Sequence, residues 1–161
     1  CALQICPGEV PGQYRNVIPN FVYWSMLEKS LPLTGTGDET RDFTYVLDLV
    51  QGLIKAGYYE DAIGQAFNLA SGKETKIKDM ISMVNNATGN ATPITEFPPR
   101  KWDTKKRLLA SIDLAGKLID YKPIISFDEG LKSNFDWFKT NWEKIQKAAD
   151  FPIGMSSAVR K

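Results

Sequence analysis

Apolar positions recur at helical spacing in four separate stretches of this chain. They are Ile18, Phe21, Val22, Met26 and Leu27 in the first stretch, Val46, Leu49, Val50, Leu53, Ile54 and Gly57 in the second, Ile77, Met80, Ile81 and Val84 in the third, and Phe127, Leu131, Phe135, Phe138, Trp142 and Ile145 in the fourth. Spacings of three and four predict an amphipathic helix in each stretch. Capping residues support two of them: Thr75 and Gly89 bracket the third, and Ser126 with Glu129 forms a capping box before the fourth.

Short strands are predicted between these helices. They are Leu31-Pro32-Leu33 at a sheet edge, the alternating Phe43, Tyr45 and Val46, a buried run at 66–70, and the segments 92–97 and 108–112. The first sixteen residues contain two Pro-Gly pairs and are predicted to be loop. The pattern indicates a mixed, helix-rich α/β fold with too few strands for a complete doubly wound sheet. We expect one domain at 1–147 and a C-terminal tail at 148–161.

Composition excludes several classes of function. The 161 residues contain no histidine, which removes hydrolase mechanisms built on a serine–histidine or cysteine–histidine pair. Two cysteines without histidine make a zinc site untenable, so no metal is predicted. A net charge of +1 does not indicate a nucleic-acid binder, and no apolar run is long enough for a membrane helix. The cysteine usage fits reduced thiols, from which we expect a cytoplasmic protein.

A first candidate binding element is Asn16-Val17, directly before the proline-containing helix. An amide side chain and the free backbone N–H groups at a helix start suit phosphate oxygens or sugar hydroxyls. The alternative is that Asn16 simply caps the helix.

A second candidate is Arg41, which follows the turn Gly35-Thr36-Gly37 and precedes a short strand. Its planar fork of donors stays charged and suits a diphosphate better than a lysine does. The alternative is a local ion pair with the adjacent Asp42.

The third candidate is Arg100 with Asp103, placed after Pro98-Pro99, which would stiffen the loop that presents them. More positive charge follows at Lys101, Lys105, Lys106 and Arg107. The alternative is a solvated basic loop, which we favour for the last three of these.

Together these motifs resemble the substrate-binding half of the extended short-chain dehydrogenase/reductase family, which contains NAD-dependent nucleotide-sugar epimerases, dehydratases and decarboxylases. The resemblance runs from about residue 7 to residue 142. It implies that Asn16, Val17, Arg41, Arg100 and Asp103 contact a nucleotide-diphosphate sugar. It also implies that the intact enzyme uses bound NAD to oxidise the sugar transiently at C4.

The family's cofactor and catalytic motifs do not occur in this sequence. Its dinucleotide turn needs a third glycine. After Gly35-Thr36-Gly37, the position where that glycine would stand is Thr40. The catalytic pair is Tyr-x-x-x-Lys, and no tyrosine here has a lysine four residues later. We therefore expect the C-terminal half of such an enzyme, truncated before its Rossmann half, with no catalytic or cofactor-binding residues and no activity alone.

Two further hypotheses remain open. One is a stand-alone nucleotide- or anion-binding module without catalysis, and the other is a structural fragment without a ligand. If the cofactor-binding half is lacking, the helix predicted over 46–57 should expose an apolar face. That face would bind the other half or lead to self-association.

Overall fold

The structure is a computed structural model that describes residues 3–12, 16–99 and 105–149. Its helices are α1 (Val17–Met26), α2 (Val46–Tyr58), α3 (Ile77–Thr88), α4 (Asp113–Ile119), α5 (Phe127–Thr140) and α6 (Trp142–Ala148). Its strands are β1 (Leu3–Ile5), β2 (Pro32–Thr34), β3 (Thr40–Arg41), β4 (Phe43–Tyr45), β5 (Thr75–Lys76), β6 (Thr95–Phe97) and β7 (Arg107–Leu108). The predicted mixed, helix-rich α/β class is confirmed.

The described strands form three small sheets. Strand β1 pairs in parallel with β4, and β2 pairs in parallel with β6. In the third sheet, β3 lies between β5, which runs antiparallel to it, and β7, which runs parallel. Proline at the first position of β2 does not disturb its pairing, because the first residue of a strand is one of the places where proline is tolerated.

The main core lies between helices α1, α3 and α5 and the β1–β4 pair. Fully buried side chains come from each of these elements: Ile5, Ile18, Val22, Trp24, Met80, Ile81, Val84 and Phe138. Helix α5 approaches the strands closely at Gly130, where a Cβ would lie 2.9 Å from Cδ2 of Tyr45. A second, smaller core forms around Ala115, Ile119 and Tyr121.

Helix α2 turns its apolar face outward. Leu47, Val50, Leu53, Ile54 and Tyr58 are between 40% and 85% exposed, and only Asp48 and Gly52 of this helix are buried. These five exposed side chains, called here the α2 face, form one continuous stripe because they recur at spacings of three and four. The prediction of an exposed apolar surface on this helix is confirmed.

Four sequence predictions about secondary structure are wrong. Residues 66–70 form no strand, and β1 lies within the segment predicted to be loop. The N-cap position of helix α3 is Lys76 and not Thr75, and its side chain makes no capping hydrogen bond. The long last helix is interrupted at Asn141, which separates α5 from α6. The proposed boundary at 147/148 stays a prediction, since residues 150–161 lie outside the described part.

Candidate functional site

Arg41 lies in the middle strand of the three-stranded sheet and is only 8% exposed. Its Nη1 donates to the carbonyl oxygens of Thr40 at 2.8 Å and Lys105 at 3.1 Å. Burial of a guanidinium is costly unless its donors are engaged. The local fold therefore holds this arginine in a defined orientation.

The two faces of this sheet carry different groups. Register places Arg41 opposite Thr75 on β5 and Leu108 on β7. Neighbouring residues of a strand point to opposite faces, so Thr40 lies on the other face, in one row with Lys76 and Arg107. Arg107 on that face forms a bidentate ion pair with Glu74, at 2.8 Å for both contacts. Arg107 thus lies in a strand and holds an ion pair, whereas the sequence analysis favoured a solvated basic loop for it.

Asn16 and Val17 lie where the sequence predicted, at the start of α1. The Asn16 side chain does not cap the helix. Its Nδ2 instead donates to both carboxylate oxygens of Glu9, at 3.0 and 3.2 Å. A negative charge already stands beside this helix start, where the helix dipole favours it. An anionic ligand approaching Asn16 would therefore have to compete with Glu9.

Arg100 and Asp103 lie outside the described residues. The described chain resumes at Lys105, whose carbonyl oxygen accepts the hydrogen bond from Arg41. The backbone N–H of Thr40 donates to the carbonyl of Lys106 at 2.9 Å. Strand β3 thus contacts the polypeptide directly after the segment that carries the two predicted residues.

Asp42 and Asp48 are buried carboxylates, and the sequence analysis considered only Asp42, as an ion-pair partner of Arg41. Asp42 is 4% exposed and accepts hydrogen bonds from the backbone N–H groups of Ser71 and Gly72 and from the hydroxyls of Ser71 and Thr44. Asp48, equally buried, accepts from the backbone N–H groups of residues 124 and 125. The apolar residues that flank each aspartate are a local sequence signal for its burial. The backbone N–H groups that donate to the two aspartates are distant in sequence. Both carboxylates anchor segments without regular secondary structure.

Tyr121 lies between these anchored segments. Its hydroxyl donates to the carbonyl oxygen of Ala70 at 3.0 Å. Burial raises the pKa of Tyr121 to about 12, and the negative charges of Asp48 and Asp42 add to this shift. The neutral phenol is thus the stable form here, which suits a structural hydrogen bond.

The glycine turn before Arg41 combines a left-handed backbone with close packing. Gly35 and Gly37 have φ angles of +82° and +75°. A Cβ at Gly37 would lie 3.0 Å from Cδ1 of Leu33 and from Cβ of Lys78, and one at Gly35 would lie 2.9 Å from Oε1 of Glu39. Side chains of the same chain, one a carboxylate, therefore pack closely against both glycines. The turn shapes the entry to β3.

The described residues contain neither a cluster of metal-binding side chains nor a helix suited to a membrane. No group of three or more histidine, cysteine, aspartate or glutamate side chains could hold a metal ion there. Within the same residues, no helix has the length and apolar character needed to cross a membrane.

Comparison with known proteins gives a consistent set of sequence relatives for this chain. Residues 3–70 match the NAD dependent epimerase/dehydratase family. Curated relatives of the chain include both epimerases and decarboxylases acting on UDP-sugars. One of them, UDP-glucuronate 4-epimerase of Thermodesulfobacterium geofontis, is 33% identical over 131 residues, which are 78% of this chain and 38% of that protein.

Solved structures agree with these relatives. Epimerase Mth375 of Methanothermobacter thermautotrophicus superposes with a TM-score of 0.90 at 51% identity, over 92% of this chain and 44% of that one. WbmF of Bordetella bronchiseptica, solved with NAD+ and UDP, gives a TM-score of 0.72 at 36% identity, over 83% of this chain and 40% of that one. The chain therefore spans less than half the length of the proteins it matches.

Proposed function

We propose that this chain is the nucleotide-diphosphate-sugar-binding part of an NAD-dependent epimerase, dehydratase or decarboxylase, corresponding to the C-terminal half of its relatives. The buried Arg41 carries the proposal. A guanidinium that two carbonyl oxygens hold in one orientation presents a fixed planar group, which suits a bidentate contact with phosphate. The WbmF structure contains UDP, which supports a uridine nucleotide as the ligand class.

Arg100 and Asp103 complete the proposed site. Arg100 precedes Lys105 by five residues, so their Cα atoms are at most about 18 Å apart. Because Arg41 contacts the Lys105 carbonyl, both arginines can be brought to one diphosphate. Asn16 and Val17 would contact the sugar or phosphate at the start of α1. These assignments rest on the family resemblance and on the placement of Arg41.

NAD belongs to the proposed parent enzyme and has no residues assigned in this chain. The sequence lacks the Tyr-x-x-x-Lys pair, and the glycine turn packs against Leu33, Lys78 and Glu39. We therefore propose that the chain alone neither binds NAD nor converts a sugar nucleotide. Tight binding in an NAD titration would contradict this. A cytoplasmic location is part of the same proposal.

The α2 face is proposed to be the docking surface for the cofactor-binding half. Its large apolar side chains follow directly after β4, which pairs in parallel with one strand, β1, among the described residues. Parallel sheets are normally larger and covered by helices on both faces. More than half of the length of each relative lies beyond the region matched here, which supplies enough chain for such a sheet.

The proposal is tested by binding of uridine diphosphate, measured with ligand-observed NMR. Each arginine–phosphate contact contributes about 1.5–3 kcal/mol, and the site lacks one wall, so we expect a Kd on the order of 0.1–1 mM. Uridine should bind much more weakly. Arg41→Ala and Arg100→Ala should each abolish binding, and the control Lys105→Ala should change it little.

Two results would overturn the assignment. One is the absence of any preference for the diphosphate over the nucleoside, and the other is an Arg41→Ala protein that binds as well as the parent. Either result would favour a structural fragment without a ligand.

A further inference from the structure

Glu74 connects all three strands of the sheet that carries Arg41. It directly precedes β5, and its Oε1 accepts a hydrogen bond from the Thr40 hydroxyl of β3 at 2.6 Å. Both of its carboxylate oxygens accept from the guanidinium of Arg107 on β7, at 2.8 Å each. The hydrogen bonds from Arg107 and Thr40 lower the pKa of Glu74 to about 2. The carboxylate is therefore charged throughout the neutral pH range.

This ion pair sets the position of β7 relative to Arg41. Arg107 lies two residues after Lys105, whose carbonyl oxygen accepts from Nη1 of Arg41. Each strand of the sheet is only two residues long, so the ladder itself contains few hydrogen bonds. The side-chain contacts of Glu74 therefore supply much of what holds β7 in register.

We propose that Glu74 is a positioning residue for the nucleotide-diphosphate site: by binding Arg107 and Thr40, it keeps the Lys105 carbonyl in place to orient Arg41. This inference rests on the function proposed above. Glu74 lies on the opposite face of the sheet from Arg41, so it acts through β7 and need not touch the ligand. An exposed ion pair adds little to global stability, so the effect of losing it should be local.

The test compares Glu74→Gln, Arg107→Glu and the exchanged pair Glu74→Arg/Arg107→Glu for binding of uridine diphosphate. Each single variant should weaken binding about three- to tenfold. A change of this size is typical of the interaction energies between residues that share one hydrogen-bond network. The exchanged pair should recover most of the loss, because opposite charges again face each other. Melting temperatures should fall by less than about 4 °C. The matched control Asp136→Asn, which breaks an exposed ion pair on α5, should leave binding unchanged.

The possible results separate the two proposals. Unchanged binding in Glu74→Gln, or no recovery in the exchanged pair, overturns the positioning role while leaving Arg41 as a ligand. If Arg41→Ala binds like the parent, the proposed function fails instead. The role of Glu74 in orienting Arg41 is then judged from the Arg41 side-chain resonances in nitrogen-resolved NMR spectra. A change in those resonances in Glu74→Gln supports it, and unaltered resonances overturn it.

Discussion

Gly52 of helix α2 lies directly against the ring of Tyr121. A Cβ at this position would lie 2.8 Å from Cε2 of Tyr121 and 2.7 Å from Cδ2 of Leu69. Glycine is required here because the neighbouring side chains approach so closely. A left-handed backbone is not the reason, since Gly52 is helical. The contact joins α2 to the smaller core and leaves the α2 face on the opposite side.

Substitution of Gly52 by alanine should therefore destabilise the fold. Alanine favours a helix by about 1 kcal/mol over glycine, but overpacking in a tight core costs about 1–3 kcal/mol. We expect a net loss in the free energy of unfolding, measured by urea denaturation. Gly57→Ala is the matched control on the same helix, because no atom lies within 4 Å of its added Cβ. It should stabilise, and equal effects at both positions would contradict the packing argument.

The helices could be predicted from the sequence because their signals are local. The apolar spacing defined α1, α2, α3 and α5, and the capping box at Ser126 and Glu129 is present in the structure. Gly89 ends α3 with a left-handed φ of +78°, as its position suggested. These features depend on residues within one or two turns of each other.

The strands were less predictable because their partners are distant. The run 66–70 has the composition of a strand, yet it is held by the Tyr121 hydroxyl at Ala70 and by Asp42 at Ser71. Strand β1 exists through pairing with β4, about forty residues away. The candidate residue Arg41 was found from its motif. Its carbonyl partner Lys105 and the bond between Asn16 and Glu9 had no local signal in the sequence.

Replacement of Asp42 by alanine should destabilise the protein by about 1–3 kcal/mol, because the N–H groups of Ser71 and Gly72 would lose their acceptor in a partly buried site. Amide hydrogen exchange at these two residues should accelerate more than the global average. Asp136→Ala is the control, since Asp136 pairs with Lys132 on the exposed surface of α5, and it should change the free energy of unfolding much less than Asp42→Ala does. Slow exchange at residues 71 and 72 in the Asp42 variant would disprove the anchoring role.

Tyr121 should ionise well above the usual tyrosine pKa of 10.0 in the folded protein. Burial, followed by the charges of Asp48 and Asp42, raises its pKa from 10.0 to about 12. A raised pKa means that the folded state holds the proton more tightly than the unfolded state. Its contribution to stability is then complete below about pH 10 and is lost as the pH rises through 12. Phenolate absorbance during an alkaline titration measures this.

The Tyr121→Phe variant is the control for that titration. It should lack the late-ionising phenol and should lose about 1 kcal/mol of stability through its missing hydrogen bond to Ala70. Its stability should also depend less on pH at the alkaline end. An unchanged titration curve in this variant would show that the late phenol belongs to another tyrosine.

The α2 face should cause self-association when the chain is studied alone. Leu53 and Ile54 are 58% and 68% exposed, so replacing them with glutamine and lysine exposes no core. Both new residues favour helix, and the free energy of unfolding should change by less than about 0.5 kcal/mol. Self-association, followed by light scattering over a wide concentration range, should decrease, as should binding of an apolar dye. Lys144→Gln, an exposed change on α6, should alter neither. A parent protein that stays monomeric and binds no dye would show that the α2 face does not mediate self-association. That result would also count against its assignment as a docking surface.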